Sequence, residues 1–189
     1  MRCLLLLAVA LLSGCVLHSK TPIFGDTEAV PILGQHAMTF AYSSYENGTW
    51  VASEAPPLQA QPEGRYYVVP DASTPTDLTK ADRYSFIPLD AHRYVVEAVV
   101  GGEADYAIAT WDGKTLLVSP LECEALKTSL KTNALVGFVN DACSLRPRDV
   151  PPLALFQVLA QRVATHDAVR AAVVTSTRPR RNSWTRCRR

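Results

Sequence analysis

Between Gly34 and about Pro120 the chain is a succession of short β-prone runs, each closed by a turn signal. "HAMTFAYS" alternates in character and is rich in strand-forming residues. "GTWVAS" follows across Asn47-Gly48, a dipeptide suited to a tight hairpin turn. "GRYYVVP", "RYSFIPL", "HRYVVEAVV" and "DYAIATW" come next, bounded by Pro, Gly or Asp clusters. Runs spaced by roughly ten to twenty residues, with turn signals between them, predict an antiparallel meander.

The sharpest local signal is "DYAIATWDGKTLLVS". Asp112-Gly113 sits between two β-prone runs, and a type I′ turn needs positive φ at both central residues. Asp tolerates that conformation and Gly adopts it freely. The expectation is a two-residue hairpin turn joining 105–111 to 114–118.

After Val118 the pattern changes. Ser119-Pro120-Leu121-Glu122 reads as a capping box, with Pro120 at the first helical position. Ala125, Leu126 and Leu130 give an apolar side, which predicts a helix over about 120–131. "ALVGFV" at 134–139 reads as a short buried strand. "RDVPPLALFQVLAQRVATH" reads as a second helix, capped by Asp149, with Pro151 and Pro152 in its first turn. Leu155, Leu159 and Val163 fall on one face of it, with Phe156 beside them. "AVRAAVVTS" is taken as a last strand. The expected fold class is α+β: an antiparallel meander followed by two helices packed on it, in a single domain over 33–177.

The first residues carry a different message. Met1-Arg2 opens with a positive charge, and "CLLLLAVALL" is an unbroken apolar run of about ten residues. A helix of that length spans ~15 Å, about half of a bilayer core. Such a run fits a secretory leader, not a membrane span. It ends in Leu12-Ser13-Gly14-Cys15: an aliphatic residue, two small residues, then cysteine. This stretch resembles the lipobox of bacterial lipoproteins. The resemblance implies cleavage after residue 14, a diacylglycerol on the Cys15 thiol, and acylation of the new amine. Several acyl chains make a lasting anchor where one binds reversibly. Val16, rather than Asp, follows the cysteine, which by the same resemblance implies the outer membrane, on its periplasmic side. Residues 15–32 are then the lipidated N-terminus and a tether, rich in polar residues and proline.

Charge is divided unevenly. From Arg178 onward, "RPRRNSWTRCRR" holds six arginines and no acid, whereas Cys15 to Thr177 holds twelve Lys and Arg against eighteen Asp and Glu. Residues 178–189 are read as a basic, disordered tail separate from the domain. Anionic lipid headgroups are a further candidate partner for it, and an envelope protein is a candidate partner of the chain as a whole. Nucleic acid is set aside because the chain is read as exported.

Of five cysteines, Cys3 leaves with the leader and Cys15 carries lipid; Cys123, Cys143 and Cys187 remain. An oxidising compartment favours disulfides. Cys123 and Cys143 are the expected pair, because a helix running away and a strand running back bring their ends together; pairing with Cys187 is the alternative. No C-x-x-C occurs, and no His stands at ligand spacing from any of these three, so no metal site is expected.

No local catalytic motif is present: no G-x-S-x-G, no H-E-x-x-H and no glycine-rich phosphate loop. "TSLK" at 128–131 has the wrong nucleophile for S-x-x-K and lacks that motif's partners. His18, His36, His92 and His166 are scattered, and "PLDAHRY" around His92 reads as a turn. Tyr66 and Tyr67 are adjacent on a predicted strand and must point to opposite faces. No catalytic residue and no cofactor are assigned. The expected function is an envelope-associated binding or structural module, held in the membrane through the lipid on Cys15. The rival is a periplasmic or cell-wall hydrolase with a dispersed active site.

Overall fold

The computed structural model describes residues 16–46, 48–54, 57–70, 81–123, 126–127, 136–139, 142–145, 152–161 and 169–173. Within these, the β-prone runs become strands β2 (Met38–Glu46), β3 (Thr49–Ala52), β5 (Tyr66–Val69), β6 (Asp82–Pro88), β7 (Arg93–Val100), β8 (Glu103–Trp111) and β9 (Thr115–Pro120), and a strand the sequence pattern did not mark, β4 (Leu58–Glu63), stands between β3 and β5 in the chain. A strand β1 (Leu17–Ser19) precedes them; β10 (Val136–Val139), β11 (Ala142–Leu145), one helix α1 (Pro152–Ala160) and β12 (Val169–Val173) follow.

The meander does not stay open. β2, β4, β5, β6, β7, β8 and β9 pair antiparallel in sequence order, and β12 closes the ring between β9 and β2. The result is an eight-stranded up-and-down barrel. β3 continues the line of β4 along the same edge of β2: Ser43 pairs with Ala52 and Phe40 with Leu58. Just after β3, Ser53 N–H donates to Tyr42 O at 2.9 Å.

Alternation sorts the side chains into two cores. The inward set includes Phe40, Tyr42, Tyr67, Tyr84, Phe86 and Val96. Large and small residues face each other across the inner wall. Tyr84 stands beside Ala98, and Phe86 beside Val96 and then Ala107. Alanines at 98, 107 and 109 thus leave room for the rings, as a small closed barrel requires. The outward set on β6, β7 and β8 is also apolar: Ile87, Val95, Tyr106 and Ile108. It is covered by Leu17, Phe24, Leu121, Cys123, Val136, Cys143 and by Leu155, Phe156 and Leu159 of α1. Phe156 meets Phe24 and Tyr106 at ring-centroid distances of 5.6 and 5.4 Å. A strand buried on both faces reads as an almost continuous apolar run, as "YVVEAVV" does.

Three expectations need correction. The fold is mostly β, not α+β with two helices on a meander: α1 is the single long helix among the described residues. A helix over 120–131 cannot form as expected, because Ser119 and Pro120 are strand residues opposite Ile108 and Ala107. The upper edge of β8 has to be paired for the barrel to close, and that tertiary requirement overrides a local capping box. Helical hydrogen bonding begins only with Leu126 N–H donating to Glu122 O at 3.0 Å; residues 124–125 and 128–131 lie outside the described residues. Third, the β8–β9 hairpin turns one residue later than expected. Trp111 pairs with Leu116, and Asp112 N–H donates to Thr115 O at 3.3 Å, leaving Gly113-Lys114 as the central pair. Gly113 has φ +91°, at the first central position, where a type II′ turn requires it. Asp112 serves as the residue before the turn: its Oδ1 accepts from Lys114 N–H at 2.8 Å and Thr115 N–H at 2.6 Å.

The segment expected to be a tether has a packed position. Val16 forms a bridge to Glu122, and β1 lies between β8 and β11, antiparallel to the first and parallel to the second. Leu17 is fully buried and Phe24 nearly so. Cys15, Val163, His166, Cys187 and the basic tail lie outside the described residues.

Candidate functional site

Two hollows compete for the role of binding site. The first is the barrel interior, lined by Phe40, Tyr42, Tyr67, Tyr84, Phe86 and Val96 among others, with a cavity of about 40 Å³. That holds a few water-sized spheres, far below the ~300 Å³ at which small-molecule sites begin. One end is stoppered by Leu33, whose N–H donates to the Tyr67 hydroxyl at 2.9 Å while that hydroxyl donates to Gly34 O at 2.9 Å. Burial pushes the Tyr42 and Tyr84 phenols far above their usual range, so both are neutral hydroxyls. The interior is a packed core and not a ligand chamber.

The second is an open cleft of about 840 Å³ at the end of the barrel that carries the β6–β7 and β8–β9 turns. Trp111 at the end of β8, Tyr94 near the start of β7 and Trp50 on β3 present aromatic surface to it. Thr110, Thr115 and His92 add hydroxyls and an imidazole. Trp111 and Tyr94 are half-buried and rest on the barrel core. Trp50 is 38% exposed and leans on Tyr45, centroids 5.2 Å apart.

Both turns that border the cleft are held rigid from within. Asp90 Oδ1 accepts from the amides of His92 at 3.0 Å and Arg93 at 2.9 Å, and its Oδ2 takes Arg93 Nε at 2.6 Å. Arg93 also donates to Ala160 O at the end of α1, at 3.0 Å. The His92 amide and the Arg93 guanidinium hold the Asp90 carboxyl below the usual range. Asp112 is committed to its own turn in the same way. Asp90 is thus held opposite to what a general acid needs, which is a raised pKa. The carboxyl that burial does raise, Asp105, does not line the cleft; it stands opposite His18 in the β1–β8 pairing, and His18 opposes the rise.

A separate polar centre lies under the N-terminal segment. Glu97, fully buried on the outward face of β7, accepts through Oε2 from Ile23 N–H at 2.9 Å, Phe24 N–H at 3.2 Å and the Tyr106 hydroxyl at 3.1 Å. That hydroxyl is 2.7 Å from Ser19 Oγ. Burial first, then Glu97, pushes the Tyr106 phenol up, which keeps it a donor. This network binds the chain at 19–24 to the barrel wall. Its role is structural, because Glu97 is sealed from solvent.

Of the residues singled out in the sequence, Cys123 and Cys143 are fully buried and at disulfide distance, Cα atoms 5.3 Å apart. His36 is exposed and His18 half-buried, each away from the cleft, and His92 borders it. Tyr66 and Tyr67 do diverge: Tyr67 enters the barrel, and Tyr66 lies outside with the Arg83 guanidinium 5.0 Å from its ring centroid. The cleft aromatics were not foreseen as a group. Among the described residues no cluster of three or more His, Cys, Asp or Glu is arranged to hold a metal ion. No protein-family model, no curated protein and no solved structure matches the chain.

Proposed function

We propose that this protein is a lipid-anchored binding module of the bacterial envelope, held through a diacylglycerol on Cys15 at the periplasmic face of the outer membrane. Its site is the cleft bordered by Trp50, Tyr94 and Trp111. The observation that carries this reading is that three aromatic residues, two threonines and a histidine line one open space of ligand size. Aromatic faces take the flat apolar side of a ring, and the polar groups take its rim. A ligand that offers both is a saccharide, which meets aromatic faces with C–H groups and donors with hydroxyls. The hydrolase reading is less favoured, since the acids beside the cleft are spent on turn amides.

The anchor is tested by metabolic labelling with a radiolabelled fatty acid: labelling in the wild type and none in Cys15→Ser is expected, and label persisting in the variant overturns the lipidation site. The cleft is tested by titrating soluble envelope oligosaccharides while following tryptophan emission. Trp50→Ala, on the exposed hairpin, should weaken binding about tenfold or more without changing the unfolding midpoint, which corresponds to ~1.4 kcal/mol. Binding unaffected by that change, or no emission change with any oligosaccharide, refutes the site.

A further inference from the structure

We infer that the domain stands on the bilayer without a tether, with the cleft end of the barrel turned toward the headgroups, so that the cleft takes sugars carried on lipids of that same membrane. This rests on the lipid anchor at Cys15 proposed above. The argument is about length and direction of chain. Val16, the residue after the proposed lipid, is 8% exposed and already bridged to Glu122. Leu17 is fully buried, and its N–H donates to Leu121 O at 2.8 Å. From there the chain is fixed by pairing with β8 and β11, by Ser19 against Tyr106, and by Glu97 holding the amides of Ile23 and Phe24. One peptide unit, ~3.8 Å, separates the lipidated residue from the sheet. Had residues 16–32 been a free tether, their r.m.s. span would be about 20–25 Å. The gap between domain and bilayer therefore closes to contact.

Direction follows from register. β1 runs antiparallel to β8, with His18 opposite Asp105 and Ser19 opposite Ala104. Going back from Ser19 to Val16 thus leads toward the Trp111 end of β8, the end that carries the β8–β9 turn and the cleft. The chain that leads back to the anchor therefore runs toward the cleft end of the barrel. A site held there meets headgroup sugars at high local concentration, and meets free or wall-bound glycans only by diffusion.

The experiment uses the full lipidated protein with Trp184→Phe to remove the tail tryptophan, reconstituted into vesicles whose lipids carry a nitroxide on the headgroup. The comparison protein has about 15 Gly/Ser residues inserted between Cys15 and Val16, an r.m.s. span of about 20 Å. Tryptophan emission should be quenched in the first and recover in the second. A second arm adds a lipid with an oligosaccharide headgroup, or the same oligosaccharide in soluble form, to unlabelled vesicles. The lipid-borne form should shift the emission at a total concentration at least about tenfold below that which the soluble form needs. Equal quenching with and without the insert, no quenching in either, or equal response to the two sugar forms overturns the inference. Flotation with the vesicles and the mass of the N-terminal peptide report the anchor independently. A protein that neither floats nor carries lipid sinks the lipoprotein reading, whereas one that floats unquenched sinks only the orientation.

Discussion

Leu17→Ala is the sharpest test of whether the N-terminal segment belongs to the fold. The leucine is fully buried between β8, β11 and the residues around Leu121 and Cys143. The substitution deletes three carbons. At ~0.8 kcal/mol per buried methylene the lost transfer energy is about 2.4 kcal/mol. A hole of roughly 80 Å³, if nothing relaxes, adds about 2 kcal/mol at ~24 cal/mol per Å³. Partial collapse of a short strand held only by two neighbours lowers the second figure, so the expected loss is about 2.5–4 kcal/mol. At ~2–4 °C per kcal/mol for a chain of this size, the melting temperature should fall by about 5–15 °C. Urea unfolding read by near-ultraviolet circular dichroism gives the free energy, and hydrogen exchange at the amides of Leu17, Ile23 and Phe24 gives the location. A loss under ~0.5 kcal/mol, with those amides exchanging freely in both proteins, would mean that residues 16–24 are a tether and that the second core is closed by something else.

Two further expectations are narrower. Gly113→Val should cost about 1–2 kcal/mol or more, because a β-branched residue resists the φ of +91° at the head of the β8–β9 turn; an unchanged denaturation midpoint would count against that turn. Cys123 and Cys143 should be oxidised in protein taken unreduced from the cell envelope, and reduction should lower stability by about 3 kcal/mol for a separation of 20 residues; alkylation of both thiols without reductant rules the bond out.

Most strands of the barrel were legible because their β-prone runs end in turn signals; β4, in the proline-containing stretch "LQAQPE", was not. Nor was closure. An alternating run states which face is buried, yet the same pattern serves a flat sheet packed on helices and a ring packed on itself. The choice turns on β9 reaching as far as Pro120 to pair with β8, and on β12 finding both β9 and β2. Those are contacts between residues up to some 130 positions apart along the chain, such as Val173 with Phe40, and no local propensity encodes them. The capping box at Ser119–Glu122 is a local signal that lost to one of these long-range pairings. α1 was legible from Leu155, Phe156 and Leu159, which are indeed its buried face, though its described extent is shorter than the apolar pattern implied. The cleft escaped notice for the same reason as closure. Trp50, Tyr94 and Trp111 are each unremarkable on their own strands, and only the curvature of the ring brings them together.

The buried acid carried a clue that alternation alone obscures. In "RYVVEAVV" the inward positions are Tyr94, Val96 and Ala98, which leaves Val95, Glu97 and Val99 pointing outward. A charged residue in the middle of that outward row looks like a solvated face. Its neighbours say otherwise: Val95 and Val99 flank it, and Ile108 and Tyr106 stand beside it on β8. A row that is apolar on both sides of a glutamate marks a strand covered on both faces. An acid there has to find donors in whatever covers it, since a buried carboxylate without hydrogen bonds costs several kcal/mol. A regularly paired strand offers no spare amides. An irregular stretch of chain does, and the residues after β1 are such a stretch: Ile23 and Phe24 leave the sheet and aim their N–H groups at Oε2. Glu97 and the irregularity at 20–24 therefore explain each other. Together they account for why a segment with the composition of a tether is built into the wall of the barrel.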